Sequence, residues 1–293
     1  MSEKVFKTID EQIKILESRG LSIGNEEKAK KFLMRNNYYR ISGYSLTLRS
    51  HDVFYPSANF QNIIDIYEFD HKLRHILLKY IDIIEITVKS IFAHEFTRVH
   101  GPIGYRNSLY FTNFREYSRI FAKSENQKDR RHGHEAFLKH YLDELHQDVP
   151  FWAYVELFTI SDISCLFSIS EESIKSAVAK KIGLPNSNGS ELLGKFMHSM
   201  TIIRNLCAHG SRIYNRLFEQ KPSLNKREQK LLRVSADGIK DNSHLFGFLL
   251  IMKKLLKPTD FSSMITEIKS LKHTYPFVDM KYYGFCDDWE NVL

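Results

Sequence analysis

The sequence predicts an all-α protein. Apolar residues recur at spacings of three and four along almost all of its 293 residues. One such pattern, at about residues 60–98, runs without a single Gly or Pro. Capping residues and Gly/Pro punctuation sit where the patterns begin and end.

Thr8 or Asp10 is placed to cap a first helix that ends near Gly20, and Asn25 to cap a second with Ala29, Phe32 and Leu33 on its buried side. Residues 43–56 read as a turn with an irregular or short extended segment. The long pattern that follows places Ile66, Phe69, Leu73, Ile76, Leu77, Tyr80, Ile84, Val88 and Ile91 on one stripe, closed by Gly101-Pro102. It is the expected central beam. Residues 123–134, KSENQKDRRHGH, lack periodic apolar residues and read as a loop or a mobile linker within an insertion. Helices are expected at about 134–147, 151–168 and 171–182, then a motif helix at about 190–216 with Leu193, Met197, Met200, Ile203 and Cys207 buried. Further helices at about 226–234, 243–256 and 260–270 complete a bundle. The expected division is an N-terminal helical arm, 1–58, and a helical domain, 59–293, with an insertion at about 101–147.

The formal net charge of +7 leans modestly toward a polyanionic partner. The three cysteines, Cys165, Cys207 and Cys286, form no C-x-x-C pair, which argues against a zinc ribbon or disulfide framework and fits a reducing cytoplasm. The first twenty residues are charged and unlike a secretion signal. The apolar run from Leu245 to Met252 is too short to span a bilayer, so no membrane partner is expected.

The stretch Arg204-Asn205-Leu206-Cys207-Ala208-His209 carries the chemistry. On a helix, Asn205 and His209 are four apart and share a face. Arg212 and Arg216 extend that face if the helix survives Gly210. Histidine moves protons near neutral pH and arginine grips phosphate oxygens, a combination suited to a phosphodiester. An Arg-x4-His pair alone means little, since a chain of this composition yields about 0.7 by chance. The longer string RNLCAHGSRIYNR is far more specific.

That string resembles the signature of the Abi-like (AbiD/AbiF type) proteins of bacterial phage defence, which belong to the HEPN superfamily of R-x4-H nucleases. Four further blocks resemble the family in the right order. They are Asn37–Tyr44 (NYYRISGY), Phe69–Arg74 (FDHKLR) with Glu85, Pro150-Phe151-Trp152 with Glu156, and Gly284-Phe285 with Asp288-Trp289. Gly210 departs from the pattern, where the family often has a second histidine. The resemblance implies a HEPN-type bundle and a toxin-like, metal-independent endoribonuclease acting in abortive infection. It implies no cofactor, and product ends bearing a 2′,3′-cyclic phosphate. His209 would do the acid–base work, Arg204 would hold the phosphate, and Asn205 would orient one of them. The family's motifs face each other across dimers, so a homodimer with a composite site is expected. The implied silencer is an antitoxin or a small structured RNA.

The residues alone leave a second reading of the motif, in which Arg204 caps a structural ion pair and His209 is a packed core histidine. Other residues also carry two readings each. Arg212, Asn215 and Arg216 are either substrate-backbone contacts or a solvated face paired with Glu219 or Asp162. In the arm, basic residues including Lys31 and Arg40 alternate with aromatics, a pattern that grips single-stranded RNA. Phe32 and Tyr39 are assigned instead to the core. Glu85 and Glu156 are candidate partners that orient Arg204 or His209, or surface carboxylates. His132, His134, His140 and His146 read as solvated, and no metal site is expected. A non-catalytic protein that binds a structured RNA or a partner protein is the alternative function.

Overall fold

A helix of 41 residues, α4 (Phe60–His100), forms the axis of the molecule. At 1.5 Å per residue it extends about 60 Å. Its start is fixed by a reciprocal cap in which Asn59 accepts from the Asn62 N–H and Asn62 accepts from the Asn59 N–H, both at 3.0 Å. Its end is set by Gly101, whose φ of 76° no helix continues. The structure, a computed structural model, describes residues 5–235 and 237–293. The first four residues of the expected arm and Ala236 of its chain lie outside the described residues.

Ahead of α4 come α1 (Ile9–Ser18), α2 (Glu26–Asn36), α3 (Tyr38–Ser42) and a two-residue antiparallel pair, β1 (Arg49–Ser50) and β2 (Val53–Phe54). Thr8 and Asn25 cap α1 and α2 as their sequence positions predict. After α4 follow α5 (Phe114–Arg131), α6 (Ala136–Lys139), α7 (Phe151–Tyr154), α8 (Ile160–Ser168), α9 (Glu172–Ile182) and α10 (Gly189–Ala208). The last three are α11 (Leu245–Leu255), α12 (Pro258–Thr274) and α13 (Trp289–Val292). The fold is an all-α bundle, in which α9, α10 and α12 lie along α4 and α8 backs α10.

The predicted stripe of α10 is buried, with Leu193, Met197, Met200, Ile203 and Cys207 joined by Phe196. Burying one such side chain contributes about 1.5–3 kcal/mol, so this stripe anchors the helix to α4, α8 and α9. The arm shares that core. Phe32 meets Phe60 and Tyr67 edge-on at 6.1 and 5.3 Å, and the Phe60 N–H donates to the Ser22 carbonyl at 2.8 Å.

Several expectations are corrected. Residues 123–131 are helical, because α5 continues through them. Ile120, Phe121 and Ser124 anchor its buried side, and beyond them Glu125, Gln127, Lys128, Arg130 and Arg131 have good helix propensity, while Asn126, Asp129 and Arg130 face water. The expected helix at 134–147 shrinks to α6 and one π turn over His140–Glu144. The expected helix at 226–234 is a single 3-10 turn, Glu228–Leu231. Tyr39 is not a core residue but is 87% exposed. Among the described residues, no helix is long and apolar enough to cross a membrane.

A candidate nucleic-acid site at the end of helix α10

The motif helix does not survive Gly210. It ends at Ala208, with His209 as its cap. Gly210 takes φ +65°, its N–H donates to the Cys207 carbonyl at 3.1 Å, and the Ser211 N–H donates to the Leu206 carbonyl at 2.8 Å. This paired bonding is the Schellman ending that glycine favours, because an L side chain is strained at positive φ. Arg212, Asn215 and Arg216 therefore lie on an irregular segment and not on the helical face that would have continued from His209.

That segment is held by a buried carboxylate. Asp70 of α4 is fully buried. It accepts the Tyr214 N–H at 2.8 Å, the Ile213 N–H at 3.3 Å, the Tyr44 hydroxyl at 2.8 Å and the Tyr283 hydroxyl at 3.1 Å. The Arg74 guanidinium, also buried, pairs with it from one turn further along α4. A buried charge needs such partners to be tolerated. The result ties the arm, the long helix, the motif segment and the C-terminal region to one point. Burial raises the hydroxyl pKa values of Tyr44, Tyr214 and Tyr283, and for Tyr44 and Tyr283 the Asp70 charge adds to it. Sequence reading missed Asp70. The available signal was an acid inside an apolar stripe, four residues before an arginine.

Two cavities flank the segment. The first, about 480 Å³, is lined by Asn205 and His209 of the motif together with Arg216 and Glu219. His209 is exposed to solvent there. Arg204 does not line it. That side chain lies on the neighbouring flank of α10, where one guanidinium nitrogen is 3.4 Å from Asn205 Oδ1. The second cavity, about 640 Å³, opens between α3 and the irregular segment and is lined by Tyr39, Arg40, Arg49, Arg212 and Arg216 among others. The Arg40 guanidinium donates to the Gly210 carbonyl and lies 6.0 Å from the centre of the Tyr67 ring. Arg212 donates to the Tyr214 carbonyl at 2.6 Å. Among the described residues, Arg40, Arg204, Arg212 and Arg216 form no ion pair. The bland pairing of this face with Glu219 or Asp162 is not what forms. Asp162 instead binds Lys123 at 2.8 Å. Burial acts to raise the Asp162 pKa, and Lys123 and Thr159 outweigh it to hold the carboxyl low.

The other sequence candidates separate from this site. Asn215 lines neither cavity. It sits at φ +49° with its N–H donated to the Tyr282 carbonyl at 2.9 Å, a backbone role that asparagine tolerates better than most residues. Lys31 lies on a different groove, beside Lys28 and Arg35 of α2. Glu85 pairs with Lys89 on its own helix at 2.9 Å and bonds neither Arg204 nor His209. Glu156 is exposed beside Trp152 and His94 on a separate groove. His132 and His140 contact Asp143 and Glu144 at 2.8 and 2.7 Å. Among the described residues, no group of three or more His, Cys, Asp or Glu is gathered as a metal would need.

The bundle, with a basic, solvent-open motif at a helix end, defines the class of protein. The family model described as "Abi-like protein" matches residues 31–215, and the chain belongs to that family. The match takes in the NYYRISGY, FDHKLR and Pro150–Glu156 blocks and the motif through Asn215, and stops short of Arg216. Comparison with curated proteins and with solved structures gave no match. Membership suggests a role in abortive infection.

Proposed function

We propose that this protein is a metal-independent endoribonuclease of the HEPN type and the toxic effector of an abortive-infection system. The observation that supports it most is the cavity where Asn205, His209 and Arg216 meet, beside Arg40 and Arg212, which have no carboxylate partner among the described residues. In the proposed reaction the ribose 2′-oxygen bonds to the adjacent phosphorus and the bond to the 5′-oxygen breaks. The 2′-hydroxyl loses a proton and the leaving oxygen gains one, giving a 2′,3′-cyclic phosphate and a free 5′-hydroxyl. His209 serves one of these transfers. Arg204 stabilises the charge that develops on the phosphate. Each chain carries one motif, so a homodimer would supply the second set of groups. An antitoxin or a small structured RNA would keep the site silent.

A second reading, RNA binding without cleavage, draws on one observation. Arg204 lies outside the cavity that His209 lines.

The test incubates the protein and its His209→Ala variant with mixed-sequence RNA in excess chelator and identifies the product ends. Cyclic phosphate ends from the parent, with a rate reduced about 10²–10⁴-fold or more in the variant, are the expected result. RNA bound by both and cut by neither would favour the second reading.

A further inference from the structure

We infer that the cleft between α3 and the segment after Gly210 binds single-stranded RNA on its way to the His209 cavity. Arginines hold the phosphates and one base stacks on Tyr39. The choice of RNA rests on the ribonuclease reading above; the cleft itself stands on its own geometry.

Four arginines, Arg40, Arg49, Arg212 and Arg216, line this cleft of about 640 Å³, and no carboxylate among the described residues does. Among the described residues, three of the four have no ion pair, whereas the remaining one, Arg49, pairs with Asp52 at 2.7 Å. Even there the Nε–H is buried without an acceptor. Arg40 and Arg212 are each positioned by one backbone carbonyl, that of Gly210 and that of Tyr214. A guanidinium has five N–H donors, so each keeps most of its donors for an outside anion. The like charges are brought together by buried contacts, since Asp70 holds the backbone N–H groups of Ile213 and Tyr214, just ahead of the carbonyl that anchors Arg212. An arginine cluster held this way is complementary to a chain of phosphates.

Two features say which polyanion fits. The cleft and the His209 cavity share Ser211 and Arg216, so a strand seated in one leads into the other. Tyr39, at the cleft's edge, is 87% exposed and contributes almost nothing to the core. Such a ring suits an unstacked base, which single strands offer and duplexes hide.

The test measures equilibrium binding of a labelled, mixed-sequence single-stranded RNA by the full chain carrying His209→Ala, so that cleavage does not interfere. Adding Tyr39→Ala should weaken binding about tenfold, the scale of one lost base–ring stack, and Tyr39→Phe should restore it. Adding Arg216→Gln should reduce the slope of log affinity against log salt by about 0.7. The matching duplex should bind more weakly. Unchanged affinity and slope in both variants, no binding at all, or a duplex held as tightly as the single strand would each overturn the inference. If the parent cuts RNA while both variants bind unchanged, the cleft falls and the ribonuclease reading stands. If binding depends on Tyr39 but no RNA is cut, the cleft stands and the ribonuclease reading falls.

Discussion

Asp70 accepts the backbone N–H of Tyr214 at 2.8 Å, across 144 residues of sequence. This bond fixes where the chain goes once α10 has ended. It also explains why three separate sequence blocks act as one unit. Tyr44 of the first, Asp70 and Arg74 of the second, and Tyr214 beside the motif meet within a single hydrogen-bonded cluster.

Replacing Asp70 with Asn should be among the most destabilising changes in the chain. It keeps the shape but leaves the Arg74 charge buried without its partner. Removing one member of a buried pair costs about 3–5 kcal/mol. Urea unfolding should show that loss, and Tyr44→Phe should show about 1 kcal/mol. Equal stability of Asp70→Asn and the parent would mean that the cluster is not what secures the segment.

Gly210→Ala should cost about 1–2 kcal/mol, because the backbone there is left-handed. Space is also short, since an added Cβ would lie 3.1 Å from the Arg40 guanidinium. Gly210→Asn should cost less than Ala on backbone grounds. The order of the two midpoints in chemical denaturation checks the claim.

Stability should fall at alkaline pH. The raised pKa values of Tyr44, Tyr214 and Tyr283 mean that the folded state keeps protons that the unfolded chain gives up near its ordinary value of about 10. Stability from these groups is complete below pH 10 and declines as pH rises beyond it. Tyrosinate absorbance should therefore appear together with unfolding, and Tyr44→Phe should make the decline shallower.

Cys207 should resist alkylation in the native protein. It is buried against α4, and burial pushes its thiol up to about 12. Cys165 and Cys286 are only partly buried and should react first. Mass spectrometry after brief iodoacetamide treatment, with and without denaturant, separates the three. Early modification of Cys207 would show that the end of α10 opens readily.

The sequence by itself determined the all-α class, the long central helix, the buried stripe of α10 and the family motif. All four are local matters, set by spacing, caps and a contiguous string. Local signals also misled. The polar residues at 123–131 are helical because α5 is anchored by Ile120 and Phe121 just before them. Tyr39, an aromatic residue two positions before the buried Ile41, is left in water by the short turn of α3. Only the tertiary structure decided where Arg212 and Arg216 point. Their placement follows from one positive φ at Gly210 and from Asp70, which lies far away in the chain. It decided as well that Glu85 serves Lys89 and that Arg40 reaches the Gly210 carbonyl. Hydrogen bonds between distant segments leave no periodicity in a sequence, because each partner is specified only by the packing that brings it there.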